Sequence, residues 1–89
     1  MAKHIITMVQ PFMIDQQVIV YENGNKIDAI QCTVDDLPTT IADKANQYEI
    51  TDIQIGGPRK YNKILGNKIA EEYLSKYSTK GKEIEIKFI

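Results

Sequence analysis

Asp52-Ile53-Gln54-Ile55-Gly56-Gly57-Pro58-Arg59-Lys60-Tyr61 is the stretch that decides the fold. Its first four residues alternate as a short strand, which breaks off at two glycines and a proline. A helical period then takes over: Tyr61, Leu65, Ile69, Tyr73 and Tyr77 step by four, and Ile64, Ala70 and Leu74 widen the stripe. The spacing predicts a helix from Pro58 or Arg59 to about Tyr77. Gly66 lies inside it at a propensity cost of about 1 kcal/mol against alanine, and close approach of the helix backbone to a sheet would compensate. After a loop at Ser78–Lys82, Glu83–Ile89 alternates strictly, with Ile84, Ile86 and Phe88 on one side and Glu83, Glu85 and Lys87 on the other. That pattern predicts a half-buried strand whose charges suit a sheet edge.

Upstream, His4–Gln10 reads as a strand closed by Pro11, and Gln17–Glu22 as a second. Asn23-Gly24 follows, a hairpin signal because both central turn residues need positive φ. Lys26–Val34 is its antiparallel partner. Val18, Ile19, Val20 and Tyr21 form an unbroken apolar run, which predicts a strand covered on both faces. Asp35-Asp36-Leu37-Pro38 starts a helix: Asp36 is placed to cap the free amides, and Pro38 fits the first turn. Leu37, Ile41, Ala42, Ala45 and Tyr48 continue it to about Tyr48. The order β-β-β-α-β-α-β predicts an α+β (α/β-like) fold, a mixed five-stranded sheet with two helices. Right-handed crossovers set the later strands parallel to an earlier one.

This order resembles the ribonuclease H-like fold, the unit found in nucleases of that class and, duplicated, in actin-like and Hsp70-like ATPases. Ile53–Ile55, Gly56-Gly57-Pro58 and the following helix resemble the strand-glycine-proline-helix junction of some actin-like family members. The chain departs from that superfamily where the chemistry would be. Two-metal nucleases of this fold need clustered carboxylates, including one on the first strand and one at the end of the fourth. Here those places read Ile5-Ile6-Thr7-Met8-Val9 and Ile55-Gly56-Gly57. The phosphate turn of the ATPases is also missing, and Pro11-Phe12-Met13-Ile14-Asp15 stands in its place. The resemblance therefore implies a fold without an activity.

Eighty-nine residues, 43% hydrophobic and 26% charged, describe one folded domain over residues 1–89 and exclude a multidomain enzyme. So small a domain buries only about 60–65% of its unfolded surface, which opens the way to a partner or a dimer. The net charge of -1 conceals a split. Residues 1–57 carry three lysines against eight acids; residues 58–89 carry eight bases against four glutamates. An acidic and a basic surface region follow, too mild for a binder relying on phosphate neutralisation alone. Cys32 is the sole cysteine, so neither an internal disulfide nor a thiolate zinc cluster is available. No apolar run has the length of a signal-peptide core or a membrane span, and the expected location is the cytoplasm.

The leading candidate site is the turn Gly56-Gly57-Pro58-Arg59-Lys60-Tyr61-Asn62-Lys63, with Gly56, Gly57, Arg59, Lys60, Asn62 and Lys63 as ligand-binding residues. Glycines let a ligand approach the backbone, and a helix N-terminus offers free N–H groups and positive potential. Three cations there oppose the helix dipole unless an anion is near; a solvated helix face is the competing explanation. No Walker loop is present. Phe12, Met13 and Ile14 form an apolar segment outside regular structure, expected to be an interface if exposed. Tyr61, Tyr73 and Tyr77 share the apolar stripe and are expected to pack rather than stack on bases. Tyr21 and Tyr48 close a strand and a helix. His4 lacks a nucleophile motif, and Cys32 is expected to be a small buried apolar residue. No catalytic residue, metal or cofactor is expected.

The leading expectation is a small non-enzymatic accessory protein of bacterial or phage type, engaging or inhibiting a larger protein through the basic turn and exposed sheet surface. Self-association is the variant of that expectation. The alternative is nucleotide or nucleic-acid binding through the phosphate-compatible turn at Gly56–Lys60. A divergent hydrolase would need a carboxylate cluster built from Asp15, Asp28 and Asp43.

Overall fold

A computed structural model describes residues 2–77 and 84–89. The elements are β1 (Lys3–Met8), β2 (Asp15–Glu22), β3 (Asn25–Thr33), a 3-10 turn at Val34–Asp36, α1 (Leu37–Gln47), β4 (Asp52–Gly56), α2 (Arg59–Tyr77) and β5 (Glu85–Phe88). The loop expected at Ser78–Lys82, and Glu83 of the expected last strand, lie outside the described residues.

The sheet order is β3-β2-β1-β4-β5. β2 is antiparallel to β1 and β3, while β4 is parallel to both β1 and β5. Hence β1, β3, β4 and β5 all point the same way. The hairpin forms as expected, with Asn23 at φ 52° and Gly24 at φ 83°. A bulge follows at Val20/Tyr21, where Asp28 pairs with Val20 and Lys26 with Tyr21, leaving Ile27 as the extra residue.

Two crossovers, β3-α1-β4 and β4-α2-β5, move across the sheet in the same sense. Right-handed connections then place both helices on one face. α1 packs on β2 and β3, α2 on β4 and β5, and the helices pack on each other. Ile5, Val18, Val20, Ile53 and Ile55 of the sheet meet Leu37, Ile41 and Ala45 of α1 and Leu65, Ile69 and Tyr73 of α2 in one core. The second face is left without a helix, which corrects the expectation for β2. Val18 and Val20 are fully buried, but Ile19 and Tyr21 on the other face are only half-buried. An apolar run records hydrophobicity, not which side is covered.

The start of α1 also differs from expectation. Asp36 occupies the N-cap position without a side-chain cap bond; its Oδ2 accepts the Thr33 hydroxyl at 3.2 Å instead. The preceding 3-10 turn brings Asp36 in with helix-like angles (φ -90°, ψ -6°), not the extended ones a cap needs. Pro38 sits in the first turn as expected. At the other end Ile50 N–H donates to Ala45 O at 2.8 Å and Glu49 N–H to Asn46 O at 3.3 Å, a Schellman pattern with Glu49 at φ 56°. Gly66 of α2 is buried, and a Cβ there would stand 3.3 Å from Phe88 Cζ and 3.5 Å from Ile86 Cγ2. The helix thus lies close on β5, as its glycine suggested.

Candidate functional site

Because β1, β3 and β4 are parallel, their carboxyl ends share one end of the sheet, and both helices begin there. At this end Val9 N–H, just past β1, donates to Gly56 O of β4 at 2.8 Å. The chain then turns back through Gln10–Met13, closed by Met13 N–H to Gln10 O at 3.0 Å, with Pro11 second and Phe12 third in the turn. Gln16, 3% exposed, holds this turn from within. Its Oε1 accepts from Gln10 N–H at 2.9 Å, and its Nε2 donates to Gln10 O and Met13 O, both at 2.8 Å. The result is a fixed turn that carries Phe12 at 100% exposure and is followed by Ile14 at 80%.

Beside this turn the helix-free face forms a groove of about 630 Å3. Ile6 and Met8 of β1, Ile19 of β2 and the segment Phe12–Ile14 supply its apolar wall; Asp15 is its one charged residue. Large apolar groups are thus left in water by a turn that is itself hydrogen-bonded. Phe12, Met13 and Ile14, an interface in the sequence reading only if exposed, are exposed. Met8, Ile6 and Ile19 were not anticipated; their signal was alternation, since Ile6, Met8, Gln17 and Ile19 all fall on the face opposite the core, whereas Gln16, also not anticipated, falls on the buried side.

The basic turn lies next to it. Gly57 has φ 122°, and a Cβ there would sit 2.7 Å from Val9 O; at Gly56 one would collide with Met8 Sδ. The space beside both glycines is taken by β1 and the residue after it. Asn62, expected to bind a ligand, is instead 1% exposed, and its Oδ1 has no hydrogen-bond partner. It falls on the buried stripe three residues before Leu65 and seven before Ile69, so helical period turns it inward. Arg59, Lys60 and Lys63 are exposed. Lys3, Lys44, Lys76 and Lys87 each have a carboxylate within 4.0 Å. Among the described residues, none of those three does. Arg59 and Lys63 flank a smaller hollow beside Phe88.

The remaining candidates pack or hydrogen-bond within the fold. Tyr48 O–H donates to Asp28 at 2.7 Å, and Lys44 stands 3.3 Å from the same carboxylate. That hydrogen bond, with help from Lys44, holds Asp28 below the ordinary carboxylate range and raises the Tyr48 hydroxyl. Tyr77 O–H donates to Asp43 at 2.7 Å, tying α2 to α1 and raising the Tyr77 hydroxyl. Burial raises Tyr61, with the Asp35 carboxylate adding to it. Tyr73 is buried, and Tyr61, Tyr48 and Tyr77 pack against the core. Tyr21 stacks on His4 across the open face at 5.1 Å between ring centroids. Cys32 is half-buried, and burial raises its thiol. Asp28 and Asp43 each have their own tyrosine and lysine, while Asp15 lies at the groove. Among the described residues no three His, Cys, Asp or Glu side chains are grouped to hold a metal ion. None of their helices is long and apolar enough to cross a membrane. No protein-family model matches the chain, and no curated protein sequence matches it.

Proposed function

We propose that this protein is a non-enzymatic binding module, an accessory protein of bacterial or phage type that engages a larger protein partner in the cytoplasm. Its docking surface is the carboxyl end of the sheet: the Phe12 turn, the groove beside it and the basic turn at Arg59–Lys63. The observation that carries this reading is the Gln16-anchored turn holding Phe12 fully in water. A fixed aromatic with a polar surround is the usual form of an interface anchor, because little conformational freedom is lost when it docks. The element order and sheet support a minimal ribonuclease H-like scaffold from which the chemistry is missing.

The test is recovery of a stoichiometric complex from host lysate with protein tagged at its amino end. Wild type is expected to retain the partner, Phe12→Asp to lose it, and Arg59→Ala/Lys60→Ala/Lys63→Ala to weaken it. Equal recovery with all three proteins would defeat the reading. The unpaired cations at the positive end of α2 favour a second reading, a phosphate-containing ligand. There, a nucleotide should raise the melting midpoint of wild type but not of the triple variant, and nucleic-acid affinity should fall steeply with salt.

A further inference from the structure

On the helix side of the sheet, away from the Phe12 groove, a hollow of about 220 Å3 lies between the 3-10 turn ahead of α1 and the first half of α2. Helical period builds one wall: Tyr61, Ile64, Leu65 and Lys68, at i, i+3, i+4 and i+7, share one side of α2. Val34 and Asp35 of the turn and Pro38 of α1 supply the other. Most of this lining is apolar, and Ile64 is left 52% exposed. Three lining residues bring polar groups: the Asp35 carboxylate, the Lys68 ammonium and the Tyr61 hydroxyl. Elsewhere such groups are matched. Lys3, Lys44, Lys76 and Lys87 each reach a carboxylate, and Asp28, Asp43 and Asp52 each reach a lysine. Asp35 and Lys68 line one hollow with opposite charge, yet among the described residues neither comes within 4.0 Å of the other or of any other ion-pair partner. Tyr61 O–H finds no protein acceptor among them either. Burial, with the Asp35 carboxylate adding to it, raises that hydroxyl, so it is a hydrogen-bond donor at neutral pH.

A ligand of one sign suits one wall and is repelled by the other. A molecule carrying both signs and an apolar group satisfies the whole lining at once. Volume bounds its size: about 220 Å3 is the share of about seven waters in the liquid, below the roughly 300–1,000 Å3 of pockets for drug-sized ligands. We propose that this hollow binds a small zwitterion with an apolar side chain, an α-amino acid of leucine size, with its ammonium on Asp35, its carboxylate on Lys68 and Tyr61, and its side chain against Ile64, Leu65 and Pro38. The site adds a small-molecule ligand to the binding module and stands or falls independently of the docking surface on the other face.

Chemical-shift titration of isotope-labelled protein tests this, with leucine, leucinamide (which lacks the carboxylate) and N-acetylleucine (which lacks the ammonium) as probes. Leucine is expected to give saturable shifts centred on the amides of Val34, Asp35, Tyr61, Leu65 and Lys68. Each analogue should bind at least about threefold more weakly, the scale of one solvent-exposed ionic contact. Lys68→Gln should weaken leucine by a similar factor and leave leucinamide unchanged. Asp35→Asn should weaken leucine and leave N-acetylleucine unchanged. Both side chains are exposed, so neither substitution disturbs the core, and circular dichroism checks that the fold is kept. A substitution that merely loosened the hollow would weaken all three probes alike, and that result overturns the proposal. So does a leucine titration without saturable shifts, or one whose shifts centre on another part of the molecule. Equal affinity for leucine and both analogues, or leucine binding indifferent to both substitutions, overturns it too.

Discussion

At Gly57 two demands coincide: a φ of 122° and a backbone pressed so close to Val9 O that a methyl group would stand 2.7 Å from it. Gly57→Ala is expected to cost about 2–4 kcal/mol, read from chemical denaturation, whereas Gly24→Ala meets only the conformational penalty because nothing lies near its Cα. The glycine pair was legible as a turn. That its spare room serves β1 and the residue after it was not, because each glycine's partner comes from 48 residues earlier. Asn62 was legible and misjudged: proximity to the basic residues outweighed a helical period that marks it as buried. The Asp28–Tyr48 bond has a pH signature at both ends. Asp28 is depressed, so its contribution is present above about pH 4, its ordinary range, and is lost as the pH falls through its folded value. Tyr48 is raised, so its contribution is present below about pH 10 and is lost as the pH rises through its folded value. Tyr48→Phe should lower the melting midpoint at neutral pH and flatten both limbs of the midpoint-against-pH curve.

Among elements, the closing turn of α1 holds an avoidable strain. Glu49 occupies the left-handed position that glycine normally fills in this motif. Glu49→Gly is expected to be more stable than Glu49→Ala, which also lacks the side chain, by about 0.5–1 kcal/mol, a thermal midpoint several degrees higher. Helix and strand positions were readable because 3.6- and 2-residue periods are local properties. The capping of α1 was misread because an aspartate before Leu37-Pro38 says nothing of the 3-10 turn that precedes it. The β1–β2 connection was readable only as apolar. What makes it a fixed projection is Gln16, whose amide stands in for a backbone strand partner to Gln10; a glutamine at the start of a strand carries no sequence signal for that role. Gln16→Leu should leave the core intact and speed hydrogen exchange at Met13 by releasing the turn.

For the whole molecule, handedness decides more than any side chain. Two right-handed crossovers travelling in one sense leave one sheet face without a helix, and neither composition nor local period encodes that. The same rule brings the carboxyl ends of four strands and the start of both helices together, so the apolar and basic segments, read separately along the chain, become one surface. Parallel β5 has a further effect. Ile89 N–H is bonded to Ile55 O at 2.9 Å at that same end, while Ala2 is tied to Asn23 at the opposite end. A fluorescent protein or solubility tag fused after Ile89 would emerge at the end of the sheet proposed for docking and shield it, and the same cargo attached ahead of Ala2 would leave that end open; the side that carries the label decides whether a binding assay tests the proposal at all.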